Sequence, residues 1–498
     1  LKLSNIIYVG ILIRLIMMPF SAHPFDVYIW YQIILGIIKN PINVAYFPPM
    51  LFYTLVPVAY VYDLASIFLG VSPIPMANIP RILNPDPRFN ILYVMDPVFN
   101  LLVKMPFLVS DILLTIVIFR LVKKLSQDQK KAEWAAALWF LNPYLILISA
   151  VWGMFDTLPA LFSLASIWLL TERRFELSAS ALAVAVAYKL YPILFLIPTV
   201  LFIQRLASSR RVTLRYLSVF TASSLVLFLP AIPMVLGFSQ GLLTAPPDPG
   251  ALGFGLTYWS ILLMIPLNQN YVAIISTLIV IACLTMTYLK AARSSFDNEV
   301  LSLVLFQLCC VLSIFIGFRF VCEQFFVWAL PYMILLVIAG KVKVLTYKIL
   351  SIVALAYALI HGLNALFFFL PTWPWLGSQL LSAVRLIRTP TATESPHGYE
   401  VINQPHVSPI TLTLSVLGII FTIIVAKVFV SLLQKTSSVQ PEFTSGSRIS
   451  ALSIKEHLQL RFSFEVFRLS AKSSRPALRG RRFHNISPPS SSRNKIWL

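Results

Sequence analysis

The sequence predicts an all-α, polytopic membrane protein of about 12 transmembrane helices with a large first extracytoplasmic loop. Three observations lead there. The 498 residues are 58% hydrophobic and only 12% charged, whereas soluble domains carry about 25% charged residues to cover a water-facing surface. Long stretches are almost wholly apolar over the ~20 residues that a helix needs to cross ~30 Å of hydrocarbon. The four cysteines, Cys283, Cys309, Cys310 and Cys322, lie in or beside such stretches, which excludes a secreted disulfide scaffold.

The first apolar segment, 5–22, runs too long for a signal peptide, and no small-residue cleavage site follows it, so no cleavable signal is expected. Further spans are expected at 100–122, 134–151, 155–171, 177–190, 191–204, 216–236, 269–289, 299–318, 325–340, 347–370 and 409–433. The stretch 177–204 is long for one crossing. Lys189-Leu190-Tyr191-Pro192 near its middle predicts two short helices meeting at a polar turn, because proline disfavours helix at the residue before it.

The segment 50–70 competes as a further span, although it holds Pro57 and Asp63. Charge decides against it. Without it, the basic loops from Lys123 to Lys348 share one side, and only Lys189, Arg319, Arg385 and Arg388 fall on the other. Counting it inverts that bias. Residues 50–70 are therefore expected as a re-entrant or interfacial element within an external region, 23–99. Both termini are then cytoplasmic, in what reads as the cell membrane of a prokaryote.

Residues 434–498 carry 12 Lys+Arg against 3 Asp+Glu and are rich in Ser, Pro and Arg. This composition predicts a basic, disordered cytoplasmic tail lying near anionic lipid, appended to a membrane domain of residues 1–433. The charges lack interleaved groove-reading or aromatic elements, so no nucleic-acid partner is expected. No internal repeat is visible, which lends nothing to the duplicated halves common in secondary transporters.

The unusual polar residues gather on one side of this topology. His23 and Asp26 follow the first span, Asp96 and Lys104 flank the start of the second, and Asp156 lies between the third and fourth. Lys189 sits between the fifth and sixth, and Arg319 with Glu323 between the ninth and tenth. A transporter more often holds its polar groups at the midplane. A one-sided cluster suits an enzyme working at the membrane–water boundary on a lipid-borne substrate. Arg14 and Asp111 are the exceptions at mid-depth, and they are expected to pair, because a lone charge there is costly.

Several of these residues sit in runs that resemble the C-type glycosyltransferase superfamily. His23-Pro24-Phe25-Asp26-Val27-Tyr28-Ile29-Trp30 looks like its first-loop acid, and Tyr46-Phe47-Pro48-Pro49 is similar to its tyrosine-proline-proline element. Lys104-Met105-Pro106 with Asp111 resembles the opening of its second span. Leu141-Asn142-Pro143 followed by Trp152-Gly153-Met154-Phe155-Asp156 matches its third-span pattern, with Met154 in place of the usual glutamine. Lys189-Leu190-Tyr191-Pro192 and Cys322-Glu323-Gln324-Phe325-Phe326-Val327-Trp328 also have counterparts, with Cys322 where the family usually has histidine. The pattern is closest to family 87 and the GPI-type mannosyltransferases.

The resemblance implies an inverting hexosyltransferase that takes a sugar, with mannose as the guess by analogy, from a polyprenyl-phosphate carrier. The acceptor is an extracytoplasmic hydroxyl on a glycan or lipid-linked molecule. On this reading Asp26 is the catalytic base or positioning acid. Lys189 and Arg319 are cations for the leaving phosphate, and His23, Asp156 and Glu323 complete the substrate site. Each has a structural alternative: Asp26 a solvated acid at a helix end, Lys189 a snorkelling anchor, Arg319 a partner of Glu323 one helical turn on, Asp156 a turn acid, and His23 a loop residue. A divalent metal is possible in relatives, but no paired aspartate follows the first span, so no metal and no other cofactor is expected. A multi-pass transporter or lipid flippase is the alternative from another class, and a membrane scaffold without chemistry a third.

Overall fold

A computed structural model of the protein describes residues 2–39, 48–69, 96–207, 209–231, 255–262, 269–294, 298–365 and 409–435. The expectations for the rest of the 23–99 region, for the stretches around 240 and 390, and for nearly all of the tail lie outside the described residues.

The described residues are helical, joined by short turns, with no strand among them. The helices are α1 (Leu3–Met17), α2 (Pro24–Lys39), α3 (Pro49–Leu69), α4 (Pro97–Ser126), α5 (Gln129–Phe140), α6 (Pro143–Ile146), α7 (Thr157–Thr171) and α8 (Phe175–Tyr188). They continue as α9 (Leu196–Ala207), α10 (Arg210–Phe228), α11 (Trp259–Leu262), α12 (Gln269–Arg293), α13 (Glu299–Gly317), α14 (Leu330–Ile338), α15 (Val344–Ala365) and α16 (Pro409–Lys435). Six of these stretches are long and apolar enough to cross a membrane, and seven if the bent run of α5 and α6 counts as one. The remaining apolar helices are shorter, between 10 and 17 residues. The protein is thus a multi-pass helical membrane protein, with six or seven helices among the described residues long and apolar enough to cross where twelve crossings were expected.

Local chemistry sets the breaks. Asp96 caps α4: its Oδ1 accepts from the amides of Val98 (2.8 Å) and Phe99 (3.2 Å), and Pro97 sits where a missing N–H is harmless. Asn142 caps α6 in the same way, accepting from Tyr144 N–H at 2.9 Å. Beyond α6 the chain widens into a π-helical turn, Leu147–Trp152, that ends at Gly153 with φ +77°, a left-handed conformation that suits glycine. Lys189 is extended after α8, and Tyr191–Phe195 forms a 3-10 turn before α9, so the expected break at this point is present.

Packing places one family of ends together. At one end of the bundle Lys124 donates to Thr171 O and Glu172, each at 2.8 Å. At the other, called the site end below, lie the starts of α4 and α7 and the last turn of α8. Serines and alanines let α7 and α8 approach closely, with Ser166 and Ser178 bonded at 2.8 Å and Ala179, Ala183 and Ala187 fully buried.

Residues 50–70 form one unbroken helix, α3, which by length and composition alone is able to cross a membrane. Its contacts point elsewhere. Thr54 meets Tyr188 Oη (2.6 Å) at the last turn of α8, and Tyr62 donates to Asp96 (2.7 Å) at the start of α4. Both partners belong to the site end. α2 packs against α3.

Candidate functional site

The site is built on two non-helical links that the fold brings side by side. The first, Ser21–His23, joins α1 to α2; the second, Trp152–Asp156, joins the π turn to α7. His23 N–H donates to Trp152 O (3.2 Å), and the His23 ring lies 4.9 Å from the Trp152 ring. Trp30 Nε1 donates to Gly153 O (3.1 Å) and its ring meets Phe155 edge-on. In the first turn of α2, Asp26 Oδ2 stands 2.7 Å from His23 Nδ1, with side-chain exposures of 20% and 12%.

Lys104 fastens these links from below. Its ammonium is fully buried on α4 and donates to Met18 O (3.0 Å), Val151 O (3.0 Å) and Ser21 O. An ammonium has three protons, and three carbonyls from two separate links take them. A Cβ added at Gly153 would approach Lys104 Cε to 3.0 Å, so the glycine also leaves room for this side chain.

Asp156 and Lys189 form the second half of the site. Asp156 Oδ1 accepts from Lys189 Nζ at 2.5 Å and from Trp328 Nε1 at 2.6 Å. The carboxylate is buried, which pushes its pKa up, while Lys189 pulls it down. The Lys189 ammonium also lies 4.8–5.0 Å from the ring centres of Phe325, Phe155 and Trp328, a box of π faces that holds a cation. Trp328 is itself stacked between Tyr191 (4.1 Å) and Phe325 (4.0 Å). The Lys189 side chain keeps 19% exposure, so the box is open on one side.

Glu323 begins the 3-10 turn Glu323–Trp328 and is buried, with its carbonyl accepting from the Tyr144 hydroxyl. Burial, then Glu323, pushes the Cys322 thiol well up, with smaller contributions from Asp156 and Asp26. Cys322 is therefore a neutral thiol, and Asp26, Asp156 and Glu323 share one electrostatic neighbourhood. Arg319 stands apart: it lies on the non-helical link 318–322, so its spacing to Glu323 is not a helical turn. Its Nη1 is buried without a hydrogen-bond partner among the described residues.

The structure gives roles to two polar residues that the sequence only placed, and the expected mid-depth pair is met. Asp96 belongs to the helix cap and to Tyr62. Lys104 works through backbone carbonyls, which have no side-chain signature to read in advance. The mid-depth pair forms as expected: Arg14 Nε donates to Asp111 Oδ2 at 2.9 Å, both side chains fully buried. Ser149 Oγ (2.7 Å) also donates to that oxygen, and Arg14 Nη1 donates to Phe140 O (2.8 Å). Trp328 is the functional neighbour that sequence reasoning missed, though it closes one of the runs that resemble the superfamily. Among the described residues no three His, Cys, Asp or Glu side chains cluster as metal ligands.

Fold and site define a multi-pass helical membrane protein with acids and a caged cation gathered at one end of its bundle. Known proteins narrow the class. The family described as "GPI transamidase subunit PIG-U" matches residues 87–262, which include Lys104, Asp111, Asp156 and Lys189. "GPI mannosyltransferase 1" of Candida albicans is 33% identical over 100 residues, 20% of this chain and 25% of that protein. "GPI mannosyltransferase 1" of Gibberella zeae is 31% identical over 92 residues, 18% and 22% respectively. The matched stretch spans a quarter of these relatives' length or less. The chain is similar to GPI-type mannosyltransferases, in agreement with the resemblance to the C-type superfamily.

Proposed function

We propose that the protein is an integral-membrane glycosyltransferase that moves a hexose, mannose by likeness to its relatives, onto a hydroxyl of a glycan or lipid-linked acceptor. The donor on this reading is a polyprenyl-phosphate sugar, and the site end faces away from the cytoplasm, which puts the start of α1 on the cytoplasmic side. Both relatives are eukaryotic, so the expectation of a prokaryotic cell membrane is not carried forward.

The observation that carries the reading is the presence of two unlike stations at the site end, one at the start of α2 and one just after α8. One is a partly exposed carboxylate, Asp26, bonded to His23. The other is a cation, Lys189, held in an aromatic box and open on one side. Glycosyl transfer from a phosphate carrier needs both: a proton acceptor for the attacking hydroxyl and a positive charge for the phosphate that leaves. Asp156, buried and already engaged by Lys189 and Trp328, holds the cation in place and does not act as a base.

The test is an incubation of purified wild-type and Asp26→Asn protein with a panel of polyprenyl-phosphate sugars, scoring release of polyprenyl phosphate. Wild-type protein is expected to turn over the mannosyl donor, and Asp26→Asn to fall by about 10²-fold or more. An Asp26→Asn protein with full activity defeats the assignment. Chelator is expected to leave the wild-type rate unchanged, and a loss restored by Mg²⁺ or Mn²⁺ overturns the metal-free reading. A second reading follows from the family match over residues 87–262: a subunit that binds a lipid-linked glycan at the same station without transferring sugar. It predicts retention of such a glycolipid by wild-type protein with no release from any donor.

A further inference from the structure

We infer that the atom receiving the acceptor proton is Nε2 of His23, with Asp26 as the group that orients and charges the imidazole. The inference rests on the transfer reading above and assigns its proton-accepting step to a different side chain from the one the sequence suggested.

The geometry fixes a tautomer. His23 Nδ1 and Asp26 Oδ2 are 2.7 Å apart, a separation that two lone pairs do not tolerate and that requires a proton between them. A carboxylate has none to give, so Nδ1–H donates, and whenever the ring is neutral its lone pair is on Nε2. The Asp26 amide also approaches Nδ1, at 3.3 Å. One ring nitrogen cannot both donate and accept in its plane, and the shorter contact decides. Nε2 makes no hydrogen bond among the described residues and is not among the buried polar atoms.

The residue is held at two further points. Its backbone N–H is tied to Trp152 O at 3.2 Å, and its face lies 4.9 Å from Trp152. The links that carry it are gripped by Lys104 through Met18, Ser21 and Val151 carbonyls. A positioned base of this kind, oriented through one nitrogen and open at the other, has the arrangement that activates hydroxyls elsewhere. The neighbouring acids are less suited. Asp156 has one oxygen engaged by Lys189 and Trp328 and is 1% exposed, and Glu323 is 5% exposed.

The step balances without a further reactant. The acceptor O–H gives its proton to Nε2 while its oxygen bonds to the anomeric carbon. The bond from that carbon to the phosphate oxygen breaks, and its electron pair leaves with the polyprenyl phosphate. The imidazolium is stabilised by the Asp26 carboxylate and returns its proton to water.

The competing role for His23 is a helix cap, with Nδ1 accepting the Asp26 amide at the start of α2. His23→Asn separates the two, because asparagine caps helices well but is no base. The experiment measures donor turnover with a mannosyl polyprenyl phosphate for wild type, His23→Ala, His23→Asn, Asp26→Asn and the His23→Ala/Asp26→Asn double variant. Expected are kcat losses of about 10²-fold or more in both His23 variants with donor KM little changed. Added imidazole is expected to raise turnover of His23→Ala but not of Asp26→Asn, and the double variant to be no slower than His23→Ala. His23→Asn within about twofold of wild type, or His23→Ala unmoved by imidazole, overturns the inference and returns the proton to Asp26. A wild type silent with every donor overturns the transfer reading and the inference together.

Discussion

Arg14→Met is expected to destabilise the protein by about 3–5 kcal/mol, the usual cost of breaking a buried ion pair from one side. The guanidinium is fully buried, bonded to Asp111, to Gly10 O and to Phe140 O, and lies 4.2 Å from the centre of the Phe140 ring. Removing it leaves the Asp111 carboxylate in an apolar interior with Ser149 as its remaining donor among these contacts. Thermal unfolding in detergent and the yield of monodisperse protein measure the loss. Arg14→Met combined with Asp111→Leu is expected to recover most of it, since exchanging a whole buried pair for apolar groups is often neutral. Asp111→Asn with unchanged folding and expression would show that the pair carries little.

Lys189→Met is expected to damage both stability and transfer. It strips the countercharge from Asp156, which is 1% exposed in the pair, for a similar loss of about 3–5 kcal/mol. It also removes the caged cation, with an expected fall in polyprenyl-phosphate release of about 10²-fold or more. Asp156→Asn added to Lys189→Met separates the two effects: stability returns, because no buried charge is left alone, and activity does not. Lys189→Arg is expected to restore little, because a planar guanidinium differs in shape and hydration from the ammonium that this box fits. A stable Lys189→Met protein with normal transfer would remove Lys189 from the site.

Much of this organisation is written in residue order. Apolar length located the helices, Lys189-Leu190-Tyr191-Pro192 marked a break that α8 and the following 3-10 turn reproduce, and the two mid-depth charges found one another. These features are local, or follow from the cost of a lone charge in hydrocarbon. What was hidden depends on contacts far apart in the chain. The Trp328 indole reaches Asp156 across 172 residues, and no periodicity announces such a partner. Asp96 was placed at the entry to the second span, and it caps that helix. Asp-Pro ahead of an apolar run is a helix start. Lys104 was placed correctly, but its acceptors are main-chain oxygens, which every residue has.

The ammonium of Lys104 has a mechanical consequence. With all three of its protons committed to Met18, Ser21 and Val151, the chain just after α1 is tied to the π turn. His23 and Asp26 follow on one side of that tie and Asp156 on the other. On the proposed reading, a donor phosphate at Lys189 would pull through Asp156 on the same tied links that carry the His23 imidazole.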